Sequence, residues 1–295
     1  MTSFAFIVPC KGRLEHLQRS LPPRLGLPDV ENLVVDYDCP DGAGDWVQEH
    51  APEARVVRVE GAPYYNASAA RNVGAAMARA DWLVFVHADV IVGRAFLSQV
   101  QARCEPGVFL EAPRVSDAAG TLVVSQEDFR RVGGYDDTYE GWGEEDIDFR
   151  DLLVESGLRP LVLSEGLFET IDHDDELRTQ FFEQKDRVVS LAAHRVYRAV
   201  KFDLLRLRGE AMSEEMRRDI WATITSQVAS AHESDEAEDL IVSLSDQAFC
   251  VPSRSEEGQV DLGDAWRMKR SVVYELAWRP NFSVSRELEQ DELSG

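Results

Sequence analysis

Basic residues are scarce in this chain: 31 Lys and Arg stand against 54 Asp and Glu over 295 residues, a formal charge of −23 at pH 7. Nucleic-acid binding needs clustered Lys and Arg to meet phosphates, so no nucleic-acid partner is expected. Long apolar runs are missing as well. Nothing approaches 18 consecutive apolar residues, which predicts no transmembrane segment, and Met1-Thr2-Ser3 leads into a predicted strand without the basic start of a secretory signal. A cytoplasmic protein is the expectation. Cysteine is sparse too: Cys10, Cys39, Cys104 and Cys250 show no C-x-x-C spacing, which suggests neither a zinc knot nor a redox pair and reads as reduced thiols. There is no internal repeat and no low-complexity tract.

What is present is a core-forming composition, 44% apolar, enough for one substantial core with an appendage or for two small domains. In the first half, short β-rich runs alternate with helical patterns: Phe4 to Val8, a helix from about Arg13, Asn32 to Asp36, a helix around Asp45 to His50, Arg55 to Val59, a helix from Ser68 to Ala80, and Leu83 to Val86. Strands separated by helices imply an α/β fold with a mostly parallel sheet, whose ligands sit at the carboxyl ends of the strands. Three polar clusters fall there: Pro9 to Arg13, Asp36 to Asp38, and His87 to Asp89. Surface charge alone is the plainer reading of Lys11 and Arg13.

Further on, Gly141 and Gly143 flank Trp142, and Glu144, Glu145, Asp146 and Asp148 follow as a strand-to-helix junction would present them. Glycine on both sides frees the backbone, so Trp142 is expected on a movable loop. A solvated acidic cap for the carboxylates and a core position for Trp142 are the plainer alternatives.

The run Gly141 to Asp148 reads G-W-G-x-E-D-x-D. It resembles the signature of the inverting beta-1,4-galactosyltransferases and of the related C-terminal galactosyltransferase domains of bacterial polysaccharide polymerases. Phe6 to Leu17, Asn66 to Gly74 and Trp82 to Val92 resemble, in order, that family's first strand and nucleotide turn, its asparagine-and-glycine helix, and the strand that ends in D-x-D. The likeness covers about residues 4 to 175.

The resemblance implies a GT-A nucleotide-sugar domain over residues 1–177 and a mainly helical extension over 178–295. It implies a UDP-sugar donor held by Pro9, Lys11, Arg13, Asp36, Asp38, Asn66, Arg71 and Trp142, with Asp36 accepting from a uracil N–H and Lys11 and Arg13 meeting the diphosphate. Asp89, as the last residue of D-x-D, and His173 would hold Mn²⁺, with Mg²⁺ or Co²⁺ as substitutes. His87 stands where the family has the first Asp of D-x-D, as a third candidate ligand or a ribose contact. Asp146 would be the catalytic base and Glu145 would hold the acceptor. Retaining relatives follow the Glu with an amide residue, so Asp at that place favours inversion. Tyr135, Tyr139 and Trp142 would offer stacking faces to sugar.

The expected function is metal-dependent, inverting transfer of a hexose (galactose, glucose or an N-acetyl form) from a UDP-sugar to the hydroxyl of an unidentified acceptor. A catalytically silent scaffold is one alternative. A nucleotidyltransferase is the other, although Val8 to Arg13 carries no G-x-G-T-R-type loop. Past His173 the pattern predicts one helix over Asp174 to Arg208, with eight Lys or Arg against three acids from Arg178 to Arg208, and a second through Met216, Ile220, Ile224 and Val228. Glu233 to Asp239 reads as an acidic linker, Val251 to Gly263 as a polar loop, Asp264 to Trp278 as a helix or strand, and Ser283 to Gly295 as a frayed end.

Overall fold

A computed structural model describes residues 2–172, 175–233, 239–244 and 272–277. His173, Cys250, the interior of the acidic linker, the Val251 to Gly263 loop and the Ser283 to Gly295 end lie outside the described residues. The chain divides into two compact units, Met1–Lys185 and Asp186–Gly295.

The first unit begins with β1 (Phe4–Cys10), α1 (Leu14–Ser20), β2 (Val30–Tyr37), α2 (Ala43–His50), β3 (Arg55–Val59), α3 (Ala67–Met77) and β4 (Trp82–Phe85). All seven residues of β1 are buried, as a continuous apolar run must be when both faces of a strand are covered. There follow β5 (Val90–Ile91), α4 (Arg94–Arg103), β6 (Val108–Glu111), β7 (Leu122–Ser125), α5 (Gln126–Val132), α6 (Glu145–Glu155), β8 (Arg159–Val162), β9 (Glu169–Thr170) and α7 (Asp175–Thr179). The seven-stranded sheet has the order β3-β2-β1-β4-β7-β6-β8. Only β7 runs against its neighbours, so the sheet is mostly parallel, as the alternation predicts.

Alternating strand residues supply two cores. Phe6, Val8, Val34 and Phe96 pack on one face, and Ile7, Val35, Phe85, Phe109 and Phe149 on the other. Gly74 lets α3 lie directly on the sheet, because a Cβ there would sit 2.5 Å from the Ile7 side chain and 2.9 Å from Val35. Helix α6 is pinned by a buried ion pair of 2.6 Å between Arg150 Nε and Glu111 Oε2 at the end of β6. The sheet thereby fixes the direction in which the start of α6 points.

The second unit holds α8 (Arg187–Arg208), α9 (Glu214–Glu233) and an antiparallel pair, β10 (Asp239–Leu244) and β11 (Val272–Ala277). Ile220, Ile224 and Val228 are buried on α9, as their spacing predicts. The single helix expected over Asp174 to Arg208 is instead two. Asp186 caps α8 by accepting from the N–H groups of Val188 and Val189, at 2.8 and 3.2 Å, which starts a new helix at that point. Ahead of it, Lys185 Nζ donates to the Thr179 and Gln180 carbonyls, and the Phe182 ring packs 5.4 Å from that of Tyr65. Among the described residues no helix is long and apolar enough to cross a membrane.

Candidate active site

The carboxyl ends of β1, β2 and β3 carry the first group of predicted residues. Pro9 is buried within β1. Lys11 Nζ donates to the carbonyls of Tyr37, Asp38 and Ala62 at 3.1, 2.9 and 2.8 Å, giving each of its three protons an acceptor. Arg13 donates from Nη2 to the Leu177 carbonyl at 2.7 Å. Burial holds its guanidinium below the usual arginine range, against the opposing pull of Asp89. Between the turns, Gly12 (φ +65°) lies under the Phe181 ring, where any Cβ would collide.

Asp36 is buried and organises the end of β2. It accepts from the N–H of Cys39 at 2.9 Å, from the N–H of Gly44 at 3.0 Å and from Arg58 Nη1 at 3.2 Å. Asp38 is exposed and takes a left-handed backbone (φ 49°). A cleft of about 380 Å³ opens here, lined by Asp36, Asp38, Cys39, Asp45, Arg58 and Glu60 among others. Arg58 carries no sequence signal of its own, yet it bridges Asp36 and Asp45.

The second group converges beside β4. Arg71 of α3 is 2% exposed. Its Nη1 lies 2.9 Å from Glu145 Oε1, and its Nη2 lies 2.8 Å from His87 Nε2. A guanidinium only donates, so Nε2 of His87 is the acceptor and its lone pair is engaged by Arg71. Burial, and then Arg71, lower the His87 pKa. Burial works to raise the Glu145 carboxyl, but the Arg71 charge outweighs it and leaves the pKa lowered. Asp146 goes the other way, pushed up by burial and then by the charge of Glu145. Gly120, on the loop before β7, completes the cluster: a Cβ there would lie 2.5 Å from the His87 ring and 3.5 Å from Asp146 Oδ2.

Asn66 ties the start of α3 to the chain that leads into α6. It caps α3 by accepting from the N–H of Ala69 at 2.8 Å, while its amide donates to the carbonyls of Asp137 and Tyr139 at 2.9 and 3.2 Å. Asn72, six residues on, exchanges hydrogen bonds with the backbone of Tyr135 at 2.8 and 2.9 Å. The two asparagines therefore hold the stem of the loop that carries Gly141 (φ 112°), Trp142 and Gly143 (φ 102°). These glycines adopt the backbone region that side chains disfavour, and Trp142 between them is part-exposed.

Tyr135 and Tyr139 are corrected from sugar-stacking faces to core residues, each 3% exposed. Tyr135 stacks on Phe149 with ring centroids 4.0 Å apart, and the Tyr139 hydroxyl donates to the buried Asp148 at 2.9 Å.

A cation would find the Asp89 carboxylate at the start of β5. The N–H of Ile171 donates to the Asp89 carbonyl at 2.8 Å, and β9 pairs antiparallel with β5, so the chain leading to His173 runs beside Asp89. Among the described residues no three His, Cys, Asp or Glu side chains converge as a metal-ligand group.

Residues 5–133 match the model of glycosyl transferase family 2, and residues 115–191 match the model described as the N-terminal domain of galactosyltransferase. No curated protein matches the chain. Among solved structures, a mannosyltransferase of Pyrobaculum calidifontis in complex with GDP-Man and Mn²⁺ is 15% identical, with a TM-score of 0.50 over 79% of this chain and 76% of that one. The S. aureus protein TarS, in complex with UDP-GlcNAc, is also 15% identical, with a TM-score of 0.53 over 80% and 74% of the two chains. The catalytic domain of Drosophila beta1,4galactosyltransferase 7, complexed with xylobiose, is 18% identical over 63% and 76%, with a TM-score of 0.46. The fold is GT-A, a mostly parallel sheet flanked by helices.

Proposed function

We propose that this chain, a glycosyltransferase of the GT-A fold, transfers a hexose from a UDP-sugar to an acceptor hydroxyl in a single displacement that inverts the anomeric carbon. The observation that carries the reading is the pair of neighbouring carboxylates at the start of α6, one lowered in pKa by Arg71 and the other raised by burial. Two acids driven apart in this way suit different tasks. Asp146 takes the proton of the acceptor hydroxyl as its oxygen attacks the anomeric carbon, and Glu145, kept ionised, accepts a hydrogen bond that orients the acceptor.

The donor lies over the carboxyl ends of β1 to β3, its base in the cleft beside Asp36 and Asp38. Its diphosphate runs toward Asp89, past Pro9, Lys11 and Arg13. Trp142 closes over it, from a loop whose stem Asn66 holds. Asp89 and His173 are the residues to hold a divalent cation, Mn²⁺ in the first instance. When bound, such an ion supplies charge neutralisation to the leaving diphosphate. His87 fits less well as a ligand, because its Nε2 already accepts from Arg71.

The test is a panel of UDP- and GDP-sugars with Mn²⁺, scored for slow release of nucleotide without acceptor. GDP-sugars belong in it because the Pyrobaculum protein is bound to GDP-Man. Release from a UDP-hexose supports the proposal, and release from GDP-sugars alone overturns the choice of donor.

A further inference from the structure

Sequence spacing gives no hint of a cysteine pair, yet the fold makes one. Cys10 ends β1, and Cys39 follows the end of β2, the strand hydrogen-bonded beside it. Cys39 Sγ lies against the turn that follows Cys10, and each sulfur is within electrostatic reach of the other. The N–H of Gly12, two residues past Cys10, donates to Cys39 Sγ at 3.2 Å. Cys39 lines the 380 Å³ cleft, where a small solute reaches it. Cys10 is fully buried, so Cys39 is the route to it.

We propose that Cys10 and Cys39 are a peroxide-sensitive dithiol, with Cys39 as the attacking sulfur and Cys10 as the resolving one. Donors converging on a sulfur favour its thiolate, the form that reacts. The neighbouring Cys10 thiol, helped by the backbone N–H of Gly12, brings Cys39 down to about 6. The same contact, with burial, pushes Cys10 well up. This is the division of labour that a sensing pair needs. Cys104 has no such setting, and burial pushes its thiol up to about 12.

The chemistry balances with hydrogen peroxide as the oxidant. The Cys39 thiolate attacks one peroxide oxygen, the O–O bond breaks, and the departing hydroxide becomes water by taking a proton from solvent. Cys39 is then a sulfenic acid. The Cys10 sulfur attacks the Cys39 sulfur, an S–S bond forms as the S–O bond breaks, and the hydroxide leaves as water with the Cys10 proton. Two thiols lose two electrons, and one peroxide becomes two waters. An external dithiol reverses the change by exchange.

A disulfide here replaces the sulfur that accepts from Gly12, and it ties the turn after β1 to the loop after β2. That loop also presents the Cys39 N–H to Asp36. Oxidation would therefore deform the proposed nucleotide cleft. This consequence rests on the donor reading, whereas formation of the disulfide does not.

The full chain, reduced and then exposed to one equivalent of hydrogen peroxide, tests the proposal by thiol titration and peptide mass mapping. A Cys10–Cys39 linked peptide that dithiothreitol separates is expected. Cys10→Ser, with Cys10→Ala as a second variant should the first fold poorly, should stop at a Cys39 sulfenic acid trapped by dimedone, and Cys39→Ser should leave Cys10 unreacted. Two intact thiols after peroxide, or oxidation of Cys104 or Cys250 ahead of Cys39, would overturn it. In parallel, calorimetry with UDP and Mn²⁺ should show affinity lower by about tenfold or more in the disulfide form. Affinity should return with dithiothreitol. Unchanged affinity in the disulfide form would overturn control of the cleft. Absence of UDP binding by the reduced protein would count against the donor reading alone, and the mass map would still decide the thiol chemistry.

Discussion

Arg71 and Glu145 form an ion pair of 2.9 Å with side chains 3% and 14% exposed, joining the middle of α3 to the first residue of α6. Seventy-four positions separate them in sequence. Burial alone would favour a neutral carboxyl, and the neighbouring guanidinium reverses that preference, so Glu145 stays ionised. Its charge then falls on Asp146, the next residue, and helps raise it. One permanent cation thereby sets two adjacent carboxylates to different strengths.

Replacing Arg71 by Met should strand the Glu145 charge in a mostly buried site, at a cost of about 3–5 kcal/mol in unfolding free energy at neutral pH. The pH dependence has a definite sign. With its folded pKa depressed, Glu145 contributes stability above its unfolded value of about 4.3, and that contribution is lost as pH falls through the folded pKa. The gap between wild type and variant should therefore persist down to about pH 4 and narrow as the buffer is taken below it. Urea denaturation at two pH values measures it, and a constant gap would mean that the pair is not ionic.

Gly120 has no side chain where one would meet the His87 ring at 2.5 Å. Gly120→Ala should push the imidazole off Arg71 and disturb Asp146, whose Oδ2 lies 3.5 Å from the new carbon. Overpacking of this kind costs about 1–3 kcal/mol of stability, and the misplaced Asp146 should lower kcat by about tenfold or more. Donor KM should change little, since the base cleft lies at β2 and β3. Steady-state kinetics separate the two, and a rise in KM at constant kcat would assign Gly120 to the donor side.

The reach of the sequence is uneven across this site, and the reason is physical. Gly141 to Asp148 was legible because its chemistry is contiguous, with two backbone-freeing glycines and a run of acids at a helix start. The parallel sheet is legible because short β-rich runs alternate with helical patterns from Phe4 to Val86. Asn72, Arg58 and Gly120 gave no warning, since each acts through a partner far along the chain: the Tyr135 backbone, Asp36 and His87. Tyr135 and Tyr139 are buried against the sequence expectation, because an aromatic near a catalytic run carries no local mark of burial. The helix break before Arg187 was missed because apolar residues continue through Phe181 and Phe182, and only the capping contacts of Asp186 show that α8 starts afresh.

For the metal, Asp89→Ala is expected to abolish Mn²⁺-dependent binding of a UDP-sugar. In the unaltered protein, chelation should remove donor affinity and added Mn²⁺ should restore it. Isothermal titration with and without chelator tests this directly. Tight donor binding without any divalent ion would remove Asp89 from the role.

Trp142, part-exposed between two glycines of positive φ, should move as a lid. Limited proteolysis is expected to cut near Gly141 to Gly143 in the ligand-free protein and to slow when UDP and Mn²⁺ are added. Identical cleavage rates with and without ligand would count against closure.

Asp146 separates a glycosyltransfer mechanism from simple nucleotide binding more sharply than any other residue. A general base contributes about 10²- to 10⁴-fold to rate, so Asp146→Asn should reduce turnover on that order while leaving donor affinity nearly unchanged, because the amide keeps the shape of the acid. The pH profile gives a second, independent reading. Burial and Glu145 place the Asp146 pKa above the ordinary carboxylate value of about 3.9, so the acidic limb of kcat/KM should lie correspondingly higher, with activity falling as the base is protonated. Any residual activity of the Asn variant should lack that limb. The product, examined by NMR, should carry the anomeric configuration opposite to the donor's. Near wild-type turnover in the variant would eliminate Asp146 as the base, and a retained configuration would rule out single displacement whichever residue takes the proton.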